Sequence, residues 1–105
     1  MSSSLPLGAA SHADDLSSRY VCFSLQARAE PGVMPRVVEL FAKRGLVPQR
    51  WQSTVAGEAL TIDVHIAGLD RDLSAYIARC MRQVIGVETV LTSETQLTDE
   101  TRAHR

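Results

Sequence analysis

Val21, Phe23, Leu25 and Ala27 alternate with Cys22, Ser24 and Gln26, the two-residue period of a strand with one buried and one wet face. Past a Glu30-Pro31-Gly32 break the period lengthens. Val33, Val37, Val38, Leu40 and Phe41 fall at helical spacing, with Arg36, Glu39 and Lys43 on the polar side. Glu39 and Lys43 form a favourable i,i+4 pair, and Gly45 supplies a C-terminal stop. Val47, Gln49, Trp51, Ser53 and Val55 then share one face of a second strand. Ala56-Gly57-Glu58 reads as a turn, and Leu60, Ile62, Val64 and Ile66 give the clearest alternation in the chain, so the two strands form a hairpin. Gly68-Leu69-Asp70 opens a second helix with Asp70 as its N-cap and an expected apolar stripe of Leu73, Tyr76, Ile77, Cys80 and Val84. Gly86 ends that helix. Val87 to Thr92 is expected to form the last strand, with Val90 and Leu91 competing for its core face.

The order β-α-β-β-α-β, built from strands with one wet face, places both helices on the other face of a four-stranded antiparallel sheet. With right-handed crossovers this is the α+β, ferredoxin-like arrangement, a split β-α-β sandwich. Residues 19–94 are expected to form the domain. Residues 1–18, rich in Ser, Ala and Gly without periodicity, read as a flexible N-terminal arm, and the polar stretch 95–105 as a flexible C-terminal tail. A small open sheet has two edges that natural proteins pair or protect, so a homodimer is expected, either edge to edge or through the helices.

Composition narrows the function classes. A chain of 105 residues holds one domain with a modest core. With 45% hydrophobic residues and a formal net charge of −1, it lacks the cationic excess of a general nucleic-acid binder. Cys22 and Cys80 lie far apart within regular elements, which fits neither a disulfide framework nor a metal-ligand spacing and suits a reducing compartment. There is no basic and apolar leader pattern and no apolar run of membrane-spanning length, so the expectation is a cytoplasmic protein without membrane association.

The stretch Glu30-Pro31-Gly32-Val33-Met34 is the candidate effector-binding site. A strand running through a Pro-Gly loop into a helix exposes unpaired N–H groups at the positive end of the helix dipole, which suits a carboxylate, and Gly32 is expected to permit a sharp turn and close approach. The alternative is a plain strand-to-helix connection. Asp63 and His65, two apart on one strand face, form an acid–base pair only if a pocket and a positioned substrate accompany them; otherwise they belong to a solvated or partner-facing sheet. Cys80 is expected in the core, Cys22 on the polar side of its strand, and Trp51 in the core or at an interface. Arg36, Lys43, Arg44 and Arg50 make a loosely basic region, either a solvated helix face or a docking surface. RNA-binding modules of this topology need exposed aromatics on the central strands with a Gly-aromatic spacing; neither central strand shows that spacing, and aromatics are only 5% of the chain. A phosphatase loop is opposed by Glu30.

Glu30-Pro31-Gly32-Val33, followed by Arg36-Val37-Val38, Leu40-Phe41-Ala42 and Arg44-Gly45, resembles the opening of an ACT domain. Among ACT domains it is most similar to the regulatory (small) subunit of acetolactate synthase, also called acetohydroxyacid synthase, of the short single-domain type. The resemblance spans Tyr20 to about Glu94. From Leu60 through Leu73, Val84-Ile85-Gly86 and Val90 it rests mainly on pattern. It implies a non-catalytic subunit that dimerises, binds and activates a catalytic subunit dependent on thiamine diphosphate and FAD, and carries no cofactor or metal itself. In many members valine exerts feedback inhibition through this loop. The family commonly has asparagine where this chain has Ala29, and a small polar residue where it has Pro35. Alanine offers no side-chain hydrogen bond, and proline removes an N–H. Activation with weak or absent valine feedback is therefore expected. The alternative is a free-standing amino-acid-sensing module that regulates another enzyme or a transporter.

Overall fold

The computed structural model describes residues 19–96. The expectations for 1–18 and for the chain beyond 96 lie outside the described residues. Six elements follow in order: β1 (Arg19–Arg28), α1 (Val33–Ala42), β2 (Arg50–Ala56), β3 (Ala59–Ala67), α2 (Arg71–Arg82) and β4 (Val87–Gln96). The strands make one antiparallel sheet in the order β2-β3-β1-β4, and the helices cover one of its faces. This is the ferredoxin-like fold that the patterning predicts.

The core forms where the sheet's alternating face meets the helices. Val21, Phe23, Leu25 and Ala27 of β1 and Leu60, Ile62, Val64 and Ile66 of β3 are buried beneath Val33, Val37 and Phe41 of α1 and Ile77, Ala78 and Met81 of α2. Phe23 and Phe41 meet with ring centroids 6.0 Å apart, joining sheet to helix through a tilted aromatic pair. Both helix signals are realised. Asp70 accepts a hydrogen bond from the Leu73 N–H at 2.7 Å, and Gly45, at φ +68, lies past the end of α1 where a left-handed residue is needed.

Four expectations shift. Regular β2 begins at Arg50 rather than Val47, because Pro48 has no N–H to pair and Val47 is left exposed. Gln49 still helps to end the ladder: its N–H donates to the His65 carbonyl at 2.8 Å, and its side-chain oxygen accepts from the Ala67 N–H at 2.7 Å. The buried face of α2 is Ser74, Ile77, Ala78 and Met81, rotated from the expected stripe, so that Tyr76 is exposed and Leu73 and Cys80 are half-buried. In α1, Val38 is exposed beside the buried Val37. Finally, β4 continues to Gln96, and Val90 takes the core face while Leu91 points to solvent.

Candidate functional site

The Glu30–Met34 loop is held at both flanks by backbone hydrogen bonds. The Arg28 N–H donates to the Gly86 carbonyl at 2.8 Å, and the Ala29 N–H donates to the Glu58 carbonyl at 2.9 Å. The end of β1 is thus tied to the α2–β4 turn on one side and to the β2–β3 turn on the other. Within the loop, the Glu30 N–H donates to the Arg28 carbonyl at 2.8 Å and the Val33 N–H to the Glu30 carbonyl at 3.2 Å. Pro31 and Pro35 have no N–H. Only the Gly32 and Met34 N–H groups then remain without a backbone partner among the described residues. The loop thus keeps two unpaired backbone donors, fewer than its sequence leads one to expect.

Gly32 does not make the turn that the sequence assigns to it. Its φ of −82° and ψ of −8° are ordinary helical values open to any residue, and a Cβ there would run only into the flexible guanidinium of Arg36. The position that requires glycine is Gly86, at φ +101. A Cβ on Gly86 would lie 2.9 Å from Val33 Cγ2 and 3.1 Å from Glu30 Oε1, so the α2–β4 turn presses directly beneath the loop.

The surroundings are acidic. An open cleft of about 260 Å³ is lined by Arg28, Ala29, Glu30, Gly57 and Glu58. A second, of about 320 Å³, shares Arg28 and Glu58 and adds Glu88. Glu30 pairs with Arg28 across 3.1 Å, but both side chains are well exposed, so the pair contributes at most about 1 kcal/mol. Three carboxylates and one guanidinium repel a simple anion. Arg28, Glu58 and Gly86 come from three separate elements, and no local motif in the sequence announced them as neighbours of the loop.

Asp63 and His65 share the open sheet face, with Cys22 opposite His65 and Ser24 opposite Asp63. The Ser24 hydroxyl donates to Asp63 Oδ1 at 2.8 Å. Partial burial, aided by the Asp63 charge, pushes the Cys22 thiol up from its ordinary value, so it is not a primed nucleophile. The groups form a solvated polar face. Arg50 belongs to this face too, opposite His65, and is separated from Arg36, Lys43 and Arg44 by the thickness of the sheet. No group of three or more His, Cys, Asp or Glu side chains among the described residues converges as a metal site would require, and no helix there is long and apolar enough to cross a membrane.

A family model described as an ACT-like domain matches residues 14–99. The chain belongs to the ACT-like domain family. No curated protein matches it in sequence. Among solved structures, it is similar to the ACT domain from the GTP pyrophosphokinase of Chlorobium tepidum, with a TM-score of 0.63 and 15% identity over 70% of this chain and 96% of that one. The C-terminal domain of the MgtC protein from Mycobacterium tuberculosis gives 0.64 and 15% over 78% and 93%. The regulatory subunit of aspartate kinase from Thermus thermophilus, in a ligand-free form, gives 0.59 and 14% over 73% of this chain, which spans about half of that protein (51%). At these identities the likeness to each is one of fold. In this ACT-like domain the loop between β1 and α1 is the connection that leads from the first strand into the first helix.

Proposed function

We propose that this ACT-like domain is a non-catalytic regulatory subunit that acts as a homodimer to bind and activate the catalytic subunit of acetolactate synthase. The observation that carries the reading is the Glu30–Gly45 segment, whose residues resemble the regulatory subunit's opening, in a chain whose family match runs from 14 to 99. In this reading the module, whose loop is pinned at both flanks, acts by binding one state of a partner better than another. The test is direct. The host's purified catalytic subunit, with thiamine diphosphate, Mg²⁺ and FAD, is assayed for acetolactate from pyruvate with and without this chain. Activation supports the reading, and unchanged turnover with a folded, dimeric chain rejects it.

Valine feedback is weak or absent in this reading. Ala29 presents a methyl group where the family commonly has asparagine, its N–H is already taken by the Glu58 carbonyl, and Pro35 withholds a donor. Titration calorimetry should show no saturable valine heat at millimolar concentration. Tight saturable binding would refute this part.

A second reading, a free-standing sensor of amino acids, is favoured by one feature: a loop with two unclaimed N–H groups at a helix N-terminus, whose Glu30 also lines a cleft with Arg28 and Glu58, groups of both signs that suit a zwitterion. A sensor with a dissociation constant a hundredfold below the ligand concentration gains about 2.7 kcal/mol, which a thermal-shift panel of amino acids detects.

A further inference from the structure

The helix layer carries a second organised surface. Tyr76 is 42% exposed, yet its ring is flanked by two guanidiniums: Arg44 at 4.8 Å from the centroid and Arg79 at 5.7 Å. Arg44 is itself held, its Nη1 donating to the Leu40 carbonyl at 3.0 Å, so the cluster bridges the end of α1 and the middle of α2. On its other side Arg79 joins Arg71 and Arg82 around a groove of about 270 Å³ between α2 and β4, floored by Ala75 and Ala78. The one carboxylate lining that groove, Glu94, is already shared by Arg19 at 2.9 Å and Arg71 at 3.8 Å. Arg82 is positioned by donating to the Val90 carbonyl at 2.9 Å.

The charge here differs from that of the whole chain. The two helices and their ends bear Arg36, Lys43, Arg44, Arg71, Arg79 and Arg82 against three acids, Glu39, Asp70 and Asp72, on a protein whose formal charge is −1. A two-fold contact between the helix layers of two copies sets this net-positive surface against itself, six cations and three acids on each side. That repulsion leaves the sheet edges or the open sheet face for pairing and the helix layer for something else. Nucleic acid fits less well. The Tyr76 ring is already occupied by guanidiniums rather than open for base stacking, and the groove floor is alanine methyl groups.

We propose that the band from Arg44 across Tyr76 and Arg79 into the Arg71–Arg82 groove docks a carboxylate-rich segment of a partner protein. This rests on the regulatory reading only in requiring that a protein partner exists. The test uses isotope-labelled full chain titrated with a poly-glutamate peptide at low ionic strength, following amide NMR shifts, with an oligo-dT as the nucleic-acid arm. The expected result is shifts concentrated at 40–46 and 71–83, weakening with added salt and lost by about tenfold or more in affinity in the Arg44→Glu/Arg79→Glu double variant, whose melting temperature confirms that it folds. No peptide shift, shifts elsewhere, or tighter binding of oligo-dT overturns it. The same variant in the acetolactate assay separates the two ideas. Activation by wild type that survives charge reversal sinks this docking face and spares the regulatory reading; peptide binding without activation does the reverse.

Discussion

Replacing Gly86 by alanine asks whether the candidate loop is braced from beneath. Two costs add at this residue. A left-handed backbone costs a residue with a Cβ about 1–2 kcal/mol. The new methyl would also arrive 2.9 Å from Val33 Cγ2 and 3.1 Å from Glu30 Oε1, and forcing extra volume into a packed contact costs roughly 1–3 kcal/mol more. Gly45 provides the control, since its φ of +68 carries the first cost while a Cβ there meets nothing within 4 Å. Gly86→Ala should therefore be about 2 kcal/mol less stable than Gly45→Ala, which for a domain of this size is a melting point lower by about 10 °C. Urea unfolding followed by Trp51 fluorescence, with circular-dichroism melts alongside, measures both. Val33→Ala should recover part of the loss in the Gly86→Ala background but not in the Gly45→Ala background, a coupling that a double-mutant cycle isolates. Equal stability of the two glycine variants, or no coupling to Val33, would refute the claim that the α2–β4 turn presses on the loop.

Asp70→Ala removes the acceptor that holds the Leu73 N–H at 2.7 Å and should cost about 1 kcal/mol, read as a lower urea midpoint with an unchanged slope; Asp70→Ser should recover most of it. Cys22 should react slowly with iodoacetamide at mildly alkaline pH, because burial first and the Asp63 charge second favour the protonated thiol. Asp63→Asn removes the second cause and should speed alkylation; an unchanged rate, measured by mass spectrometry of the Cys22 peptide, would show that the charge is screened.

How far the sequence could be read depended on where each element sits in the sheet. The alternation in β3 was unambiguous because a central strand has a partner on each side and a helix layer over one face, so every second residue is forced inward. At β2, an edge strand, the same kind of alternation says little. Trp51, Ser53 and Val55 stand on the helix side of the sheet, yet Val55 is exposed and Trp51 only half-buried, because the helices do not extend over that edge. In α2 the period was legible but its phase was not. Ser74 enters the core because its hydroxyl donates to the Asp70 carbonyl at 2.8 Å, and Met81 fills the end of the buried face. The expected stripe therefore lies toward the α1 side, where Arg44 covers Tyr76.

The choice between Val90 and Leu91 was undecidable from a two-residue period, because β4 does not keep one. Leu25 pairs with Val90 and Gln26 with Thr89, but Ala27 pairs with Val87, so Glu88 is an extra residue at a bulge. The bulge lets Val87 and Val90, three apart, both pack on the core, and Glu88 is left to line the cleft beside Arg28 and Glu58.

That bulge alters the chemistry proposed for the loop. A helix N-terminus alone favours any small anion, and the sequence offered no more than that. With Glu30 from the loop, Glu58 from the β2–β3 turn and Glu88 from the bulge lining two clefts that share Arg28, a phosphate or a keto acid there meets three like charges against one guanidinium. An α-amino acid brings its own cation and turns that repulsion into attraction. In the sensor reading, the loop's selectivity comes from residues that fold topology gathers around it, while Gly32 and Met34 supply the donors. A ligand without an ammonium group that bound here as tightly as an amino acid would show that the acids are too well solvated to select.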